Sequence, residues 1–150
     1  MTSLQIQSEA ELEIVVSKML EILATKSTNE AHIVALHGDL GAGKTTTVQY
    51  LARALGVVTP VTSPTFVVMK EYELTEQDYD QLVHIDAYRI DDIHEMEILH
   101  VPELFTTSRT LICIEWAERI EDLLPKHVLH VRFMHIGESR MITIEYGDTD

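Results

Sequence analysis

The sequence predicts an α/β fold with a mostly parallel sheet, antiparallel strands added to it and helices on both faces. Three observations predict it. Short, nearly unbroken apolar runs recur at 33–36, 82–85 and 111–114, the pattern of strands covered on both sides. Segments with apolar residues at helical spacing alternate with these runs. A glycine-rich loop stands between the first run and a helical segment, as in a strand–loop–helix unit of a parallel sheet.

The elements follow in order. Ser8 with Glu11 has the spacing of a capping box, and Leu12, Val15, Val16, Met19, Leu20 and Leu23 share one helical face, predicting an amphipathic helix over 9–25. Ile33 to Leu36 is a buried strand running into the glycine-rich loop. A second helix is predicted from Lys44 to Leu55, stopped by Gly56. Phe66-Val67-Val68-Met69 and the alternating residues to Leu74 predict a strand. Leu82 to Ile85, ending at Asp86, and Leu111 to Ile114, ending at Glu115, predict two more. Short helices are expected at 91–99 and at 117–124, the latter stopped by Pro125. Residues 127–135 and 141–146 alternate in polarity and predict an antiparallel pair about a turn at Gly137. No repeat or linker divides the chain, and its 150 residues are expected to form one domain, 1–150.

Composition narrows the function. With 45% hydrophobic residues the chain can bury a core without disulfide or metal staples. Its one cysteine, Cys113, lies in a strand pattern and is expected to be a small buried hydrophobe. No secretory signal and no apolar stretch of membrane-spanning length is present, so a cytoplasmic location without membrane association is expected. Eleven basic against 25 acidic residues give a net charge of −14, which disfavours tight nucleic-acid binding by this chain alone.

Residues 38–45 read GDLGAGKT, a full match to the Gly-x-x-x-x-Gly-Lys-Thr phosphate loop. Gly38, Gly41 and Gly43 permit close backbone approach, and with Asp39 and Ala42 they would turn successive N–H groups inward at the positive end of the next helix. Lys44 has the reach for β- and γ-phosphates, and the Thr45 hydroxyl is a magnesium ligand. An apolar strand before the loop and a helix after it supply the required context. ATP with magnesium is the expected ligand, and a P-loop NTPase-like fold the expected frame. The single asparagine, Asn29, rules out the Asn-Lys-x-Asp segment that reads guanine, which favours ATP over GTP.

Asp86 and Glu115 each follow an apolar strand, at the sheet edge where ligands of parallel sheets bind. Phosphate loop proteins hold magnesium with such an acid, and the residues leave open which of the two it is. Ser63-Pro64-Thr65-Phe66 reads on spacing alone as a loop-to-strand turn, yet its hydroxyls also have the reach of a switch segment. Tyr88 and Trp116 flank the two acids and are either core aromatics or neighbours of the nucleotide. The eight histidines show no metal-ligand spacing and are expected to be dispersed surface or strand residues.

GDLGAGKTT at 38–46, SPTF at 63–66, HIDAYR at 84–89 and IEW at 114–116 together resemble the TsaE (YjeE) family, the ATPase component of bacterial tRNA threonylcarbamoyladenosine biosynthesis. The resemblance runs over about the whole chain. It implies that Lys44 and Thr45 handle phosphate and magnesium with Thr46 beside them, that Glu115 holds magnesium, and that Asp86 positions or polarises the attacking water. By the same resemblance Trp116 sits by the active site, Thr65 lines it as a switch-like residue, and Arg140 matches an arginine that covers the adenine. TsaB and TsaD proteins are the implied partners and carry the tRNA, so this chain would meet tRNA only indirectly. The expected activity is slow ATP hydrolysis accelerated by those partners, because the chain is short and carries no arginine-rich lid. A small-molecule phosphate loop kinase is the alternative, disfavoured by the same lack of a lid.

Overall fold

The computed structural model describes residues 1–39, 41–61, 69–90, 92 and 94–147. Among them are seven strands, β1 (Thr2–Ile6), β2 (His32–His37), β3 (Met69–Glu73), β4 (Gln81–Asp86), β5 (Thr110–Glu115), β6 (Val128–Ile136) and β7 (Ser139–Gly147). They form one sheet in the order β1-β7-β6-β2-β5-β4-β3. The four central strands, β6, β2, β5 and β4, run parallel. Antiparallel β3 closes one edge, and antiparallel β7 and β1 extend the other. The mixed α/β sheet predicted from the sequence is therefore the architecture found.

The apolar runs form the parallel centre because each of their side chains is covered. Successive residues of a strand point to opposite faces. Val34 and Leu36 of β2 pack on one side with Leu82, Leu111 and Leu129, beneath helices α1 (Leu12–Ala24) and α2 (Lys44–Ala54). Ile33, Ala35, Val83, Ile85, Ile112 and Ile114 pack on the other side with Val101, Phe105 and Ile120. Those last three belong to helix α4 (Val101–Phe105) and the 3-10 helix Ala117–Leu123. Helices thus cover both faces. The predicted face of α1 is the buried one: Leu12, Val15, Val16, Met19 and Leu23 are all in the core, each contributing about 1.5–3 kcal/mol by burial.

Several details differ from the expectations. The first helix opens with a 3-10 turn, Glu9–Glu11, and the Ser8 side chain makes no capping bond there. The tight turn already satisfies Glu11 N–H on the Ser8 carbonyl at 3.2 Å, and the Glu11 carboxylate accepts the N–H of Gln7 instead. Strand β1 was not predicted, since it is short, polar on its outer side and needs β7 to pair with. The short helix expected at 91–99 is α3 (His94–Ile98), and a further helix, α4, which was not predicted, follows His100, whose backbone is left-handed at φ 60°. The predicted helix at 117–124 is a 3-10 helix broken at Ile120. The antiparallel pair turns at Gly137 as predicted, at φ 59°. The Ser63–Phe66 segment, with Thr65, and the front of the strand predicted from 66 lie outside the described residues. No helix among those described is long and apolar enough to cross a membrane.

Candidate active site

The topology gathers the chemistry at one edge of the sheet. Strands β2, β5 and β4 are neighbours and parallel, so their C-terminal ends lie side by side. The loop leaving β2, Glu115 at the end of β5 and Asp86 at the end of β4 therefore converge. Asp86 and Glu115 are direct cross-strand partners in register. The side chains of His84, Asp86, Cys113 and Glu115 share the face on which α2 packs, by the two-residue alternation of the strands.

The loop 38–43 needs glycine at two positions for different reasons. Gly38 has φ 152°, and a Cβ there would sit 3.0 Å from the Phe133 Cβ and 3.1 Å from the Phe133 carbonyl oxygen. Gly43, at φ 112°, caps the start of α2, and a Cβ on it would lie 2.9 Å from Nη1 of Arg140. The Arg140 guanidinium thus rests against the loop itself. Ala42 is buried and its N–H bonds to the Asp39 carbonyl at 3.0 Å. The Thr47 hydroxyl and N–H both bond to the Gly43 carbonyl, tying the loop to the first turn of α2.

Lys44 is folded back over the loop. Its Nζ donates to the Gly38 carbonyl and, at 3.1 Å, to that of Asp39, and it lies 4.0 Å from the centre of the Trp116 ring. Only 4% of the residue is exposed. Burial lowers its pKa, while the charges of Glu115, Glu118, Asp86 and Asp39 act in the opposite direction. Trp116 reaches this position because its own backbone is left-handed, at φ 58°, an unusual conformation for a bulky residue. That turn sends the ring back under the lysine instead of along the strand. Tyr88 stacks at 5.0 Å from Trp116 and is 40% exposed, so it belongs to the site's rim and not to the core.

The Thr45 hydroxyl donates to both oxygens of Glu115, at 2.8 and 2.9 Å. Glu115 is 3% exposed and Asp86 4%. Asp86 is oriented by the Tyr88 N–H, which donates to its Oδ1 at 2.9 Å. A hydroxyl and a carboxylate brought together at the foot of a phosphate loop are hard oxygen donors, and this set fits a magnesium ion. Gly41 to Thr46, Asp86, Glu115, Trp116 and Arg140 line one cavity of about 260 Å³. Of the predicted residues, Gly38 and Asp39 do not line it; they hold Lys44. Glu9 and Tyr88 also line it, and Glu9 had no sequence signal beyond its place at a helix start.

His84 is a strand histidine, as expected, but it is fully buried and its Nε2 lies 2.5 Å from Oε2 of Glu115, a contact that was not predicted. The signal was present in the alternation: His84 precedes Asp86 by two residues and shares its face. His32 does meet the structural reading, with its ring nitrogens bonded at 2.7 Å to the Tyr79 hydroxyl and the Lys26 carbonyl. Those residues line a separate cavity of about 500 Å³ that contains none of the predicted site. Cys113 is buried, and burial pushes its thiol pKa up, as expected of an inert core residue.

Comparison with known proteins shows the family. Residues 6–142 match the family described as "Threonylcarbamoyl adenosine biosynthesis protein TsaE". The chain is 33% identical over 127 residues to the tRNA threonylcarbamoyladenosine biosynthesis protein TsaE of Haemophilus influenzae, covering 85% of this chain and 78% of that one. It is 35% identical over 122 residues to the protein of the same name from Bacillus subtilis, covering 81% and 73%. The crystal structure of Bacillus subtilis YdiB superposes with a TM-score of 0.71 at 26% identity, covering 98% of this chain and 85% of that one.

Proposed function

The chain belongs to the TsaE family of threonylcarbamoyladenosine biosynthesis proteins, and from that premise we propose that it binds ATP with magnesium and hydrolyses it within the machinery of tRNA threonylcarbamoyladenosine formation. The observation that carries the reading is the convergence of Lys44, Thr45, Asp86 and Glu115 on one cavity beneath a phosphate loop. In this reading Lys44 leaves the carbonyls of Gly38 and Asp39 and turns its charge to the β- and γ-phosphate oxygens. Thr45 and Glu115 hold magnesium, which when bound neutralises phosphate charge and orients the terminal phosphate. The Asp86 carboxylate, fixed by Tyr88, orients the attacking water. Trp116 and Tyr88 wall the site from solvent, and Arg140 lies over the loop as a further cation for the nucleotide.

Partners of the TsaB and TsaD type, in the cytoplasm, complete the proposal. The described site offers no arginine-rich lid, and an ordering contact or arginine from outside raises such turnover by orders of magnitude. A net charge of −14 sets the chain against direct tRNA binding and suits docking on a basic partner surface. The test is ATP turnover and tRNA gel shift, each with and without TsaB- and TsaD-type proteins at physiological salt. Slow turnover alone, acceleration by the proteins and no shift of tRNA by the chain alone are expected. Tight tRNA binding by the isolated chain, or turnover indifferent to the partners, would overturn the proposal in favour of a small-molecule kinase.

A further inference from the structure

We infer that His84 is a positioning residue for the metal-binding carboxylate: through Oε2 it holds the carboxylate of Glu115 against the Thr45 hydroxyl. The inference rests on the magnesium reading above and deepens it. His84 stands on β4, one strand in from the β3 edge of the sheet, with no exposed surface. Its Nε2 is 2.5 Å from Glu115 Oε2, and Thr45 Oγ1 is 2.8 Å from Oε1 and 2.9 Å from Oε2. An ionised carboxylate only accepts, so Nε2 of the imidazole is the donor in this contact. Nδ1 is buried without a hydrogen-bond partner among the described residues.

An apolar residue at position 84 would join Leu82 in the core without burying an unpaired polar atom. The histidine is costly there unless the bond through its other nitrogen has a use. Register supplies the use. Position 84 lies opposite Cys113 and position 86 opposite Glu115 in the parallel pair, so a side chain of imidazole length from 84 reaches forward to the carboxylate of the neighbouring strand. Glu115 has three rotatable bonds, and a bond from rigid β4 to one oxygen removes the freedom that would otherwise let the carboxylate swing away from Thr45.

The experiment measures Mn²⁺ affinity by electron paramagnetic resonance in the presence of a non-hydrolysable ATP analogue, alongside analogue affinity in EDTA. His84→Leu should weaken Mn²⁺ binding by about 10- to 100-fold and leave metal-free nucleotide affinity unchanged. His84→Gln carries an amide N–H to the position of Nε2 and should recover most of the loss; His84→Asn, one carbon shorter, should not. If His84→Leu does not fold, the two amides decide between them, and equal Mn²⁺ affinity in Gln and Asn variants overturns the inference. Wild-type Mn²⁺ affinity in His84→Leu overturns it as well, while leaving the magnesium reading standing. A wild-type chain that adds nothing to the affinity of the analogue alone for Mn²⁺ overturns both.

Discussion

The hydroxyl of Thr45 spans both carboxylate oxygens of Glu115, at 2.8 and 2.9 Å, across 70 residues of sequence. One residue begins α2 and the other ends β5, so the contact is set by the parallel pairing of β2 with β5 and by the loop that joins β2 to α2. Two oxygen donors are thereby held together at the sheet's C-terminal edge.

The first prediction follows from that pair. Thr45→Ala and Glu115→Gln should each shift the magnesium dependence of ATP binding to higher concentration, with the larger shift for Glu115→Gln. The amide keeps the shape of the carboxylate and loses the charge that attracts the cation. A magnesium titration of nucleotide binding checks this, and curves matching wild type in both variants would remove the two residues from the metal site.

Lys44→Ala should abolish measurable ATP turnover and leave the fold intact. In the proposed site the ammonium serves the phosphate oxygens, whereas the buried face of α2, Lys44 apart, is made by Thr47, Val48, Leu51 and Ala52. Removing a positioned transition-state cation typically costs at least about 100-fold in rate. ADP release and a thermal melt measured on the same preparation separate the two effects. Parent-rate turnover in the variant would refute the assignment of the loop.

The sheet centre was legible because buried strands are written in unbroken apolar runs, and so was the loop, whose glycines and lysine have few other uses. The acids were legible as strand ends, but their register was not: nothing local says that Asp86 faces Glu115. The contact of His84 with Glu115 was hidden for the same reason, since the two stand 31 residues apart. Trp116 was placed near the site, yet the left-handed turn that puts its ring under Lys44 has no signature in a bulky aromatic. Strand β1 escaped because an edge strand with one buried residue, Ile6, carries too weak an alternation.

The glycines of the loop should separate on substitution. Gly41→Ala meets no atom of the described residues within 4 Å, which leaves the strain of its φ of 79°, roughly 1–2 kcal/mol. Gly38→Ala adds a clash with the backbone and Cβ of Phe133 on β6, which cannot swing aside, and overpacking of that kind costs about 1–3 kcal/mol more. Urea unfolding of the two variants without nucleotide compares them. Equal destabilisation would mean that β6 yields more readily than its place in the sheet suggests.

The last prediction concerns acid. His37, directly before the loop, and His130 on β6 stack at 5.2 Å, and His37 Nε2 lies 3.0 Å from His130 Nδ1. His37 Nδ1 faces Glu118 at 3.4 Å, while His130 Nε2 is buried without a partner among the described residues. One arrangement satisfies these contacts: His130 donates from Nδ1 to His37, and His37 donates from Nδ1 to the Glu118 carboxylate, leaving the bare nitrogen as the unpartnered one. Both rings are then neutral. Burial, the neighbouring His37 and Arg132 lower the His130 pKa to about 4 from 6.5, against the pull of Glu145. Burial and Arg132 lower that of His37, against Glu118 and Glu121. The unfolded chain therefore binds more protons than the folded one between about pH 6.5 and 4. Stability from His130 is complete above 6.5, declines as pH falls through that window and levels off near 4, and His37 acts in the same direction. His130→Gln removes one titrating group, so the slope of unfolding free energy against pH between 6.5 and 4 should become shallower by at most ~1.4 kcal/mol per pH unit, the limit for one proton. Urea titrations of both proteins across that range measure it, and parallel slopes would show that His130 is charged in the folded chain.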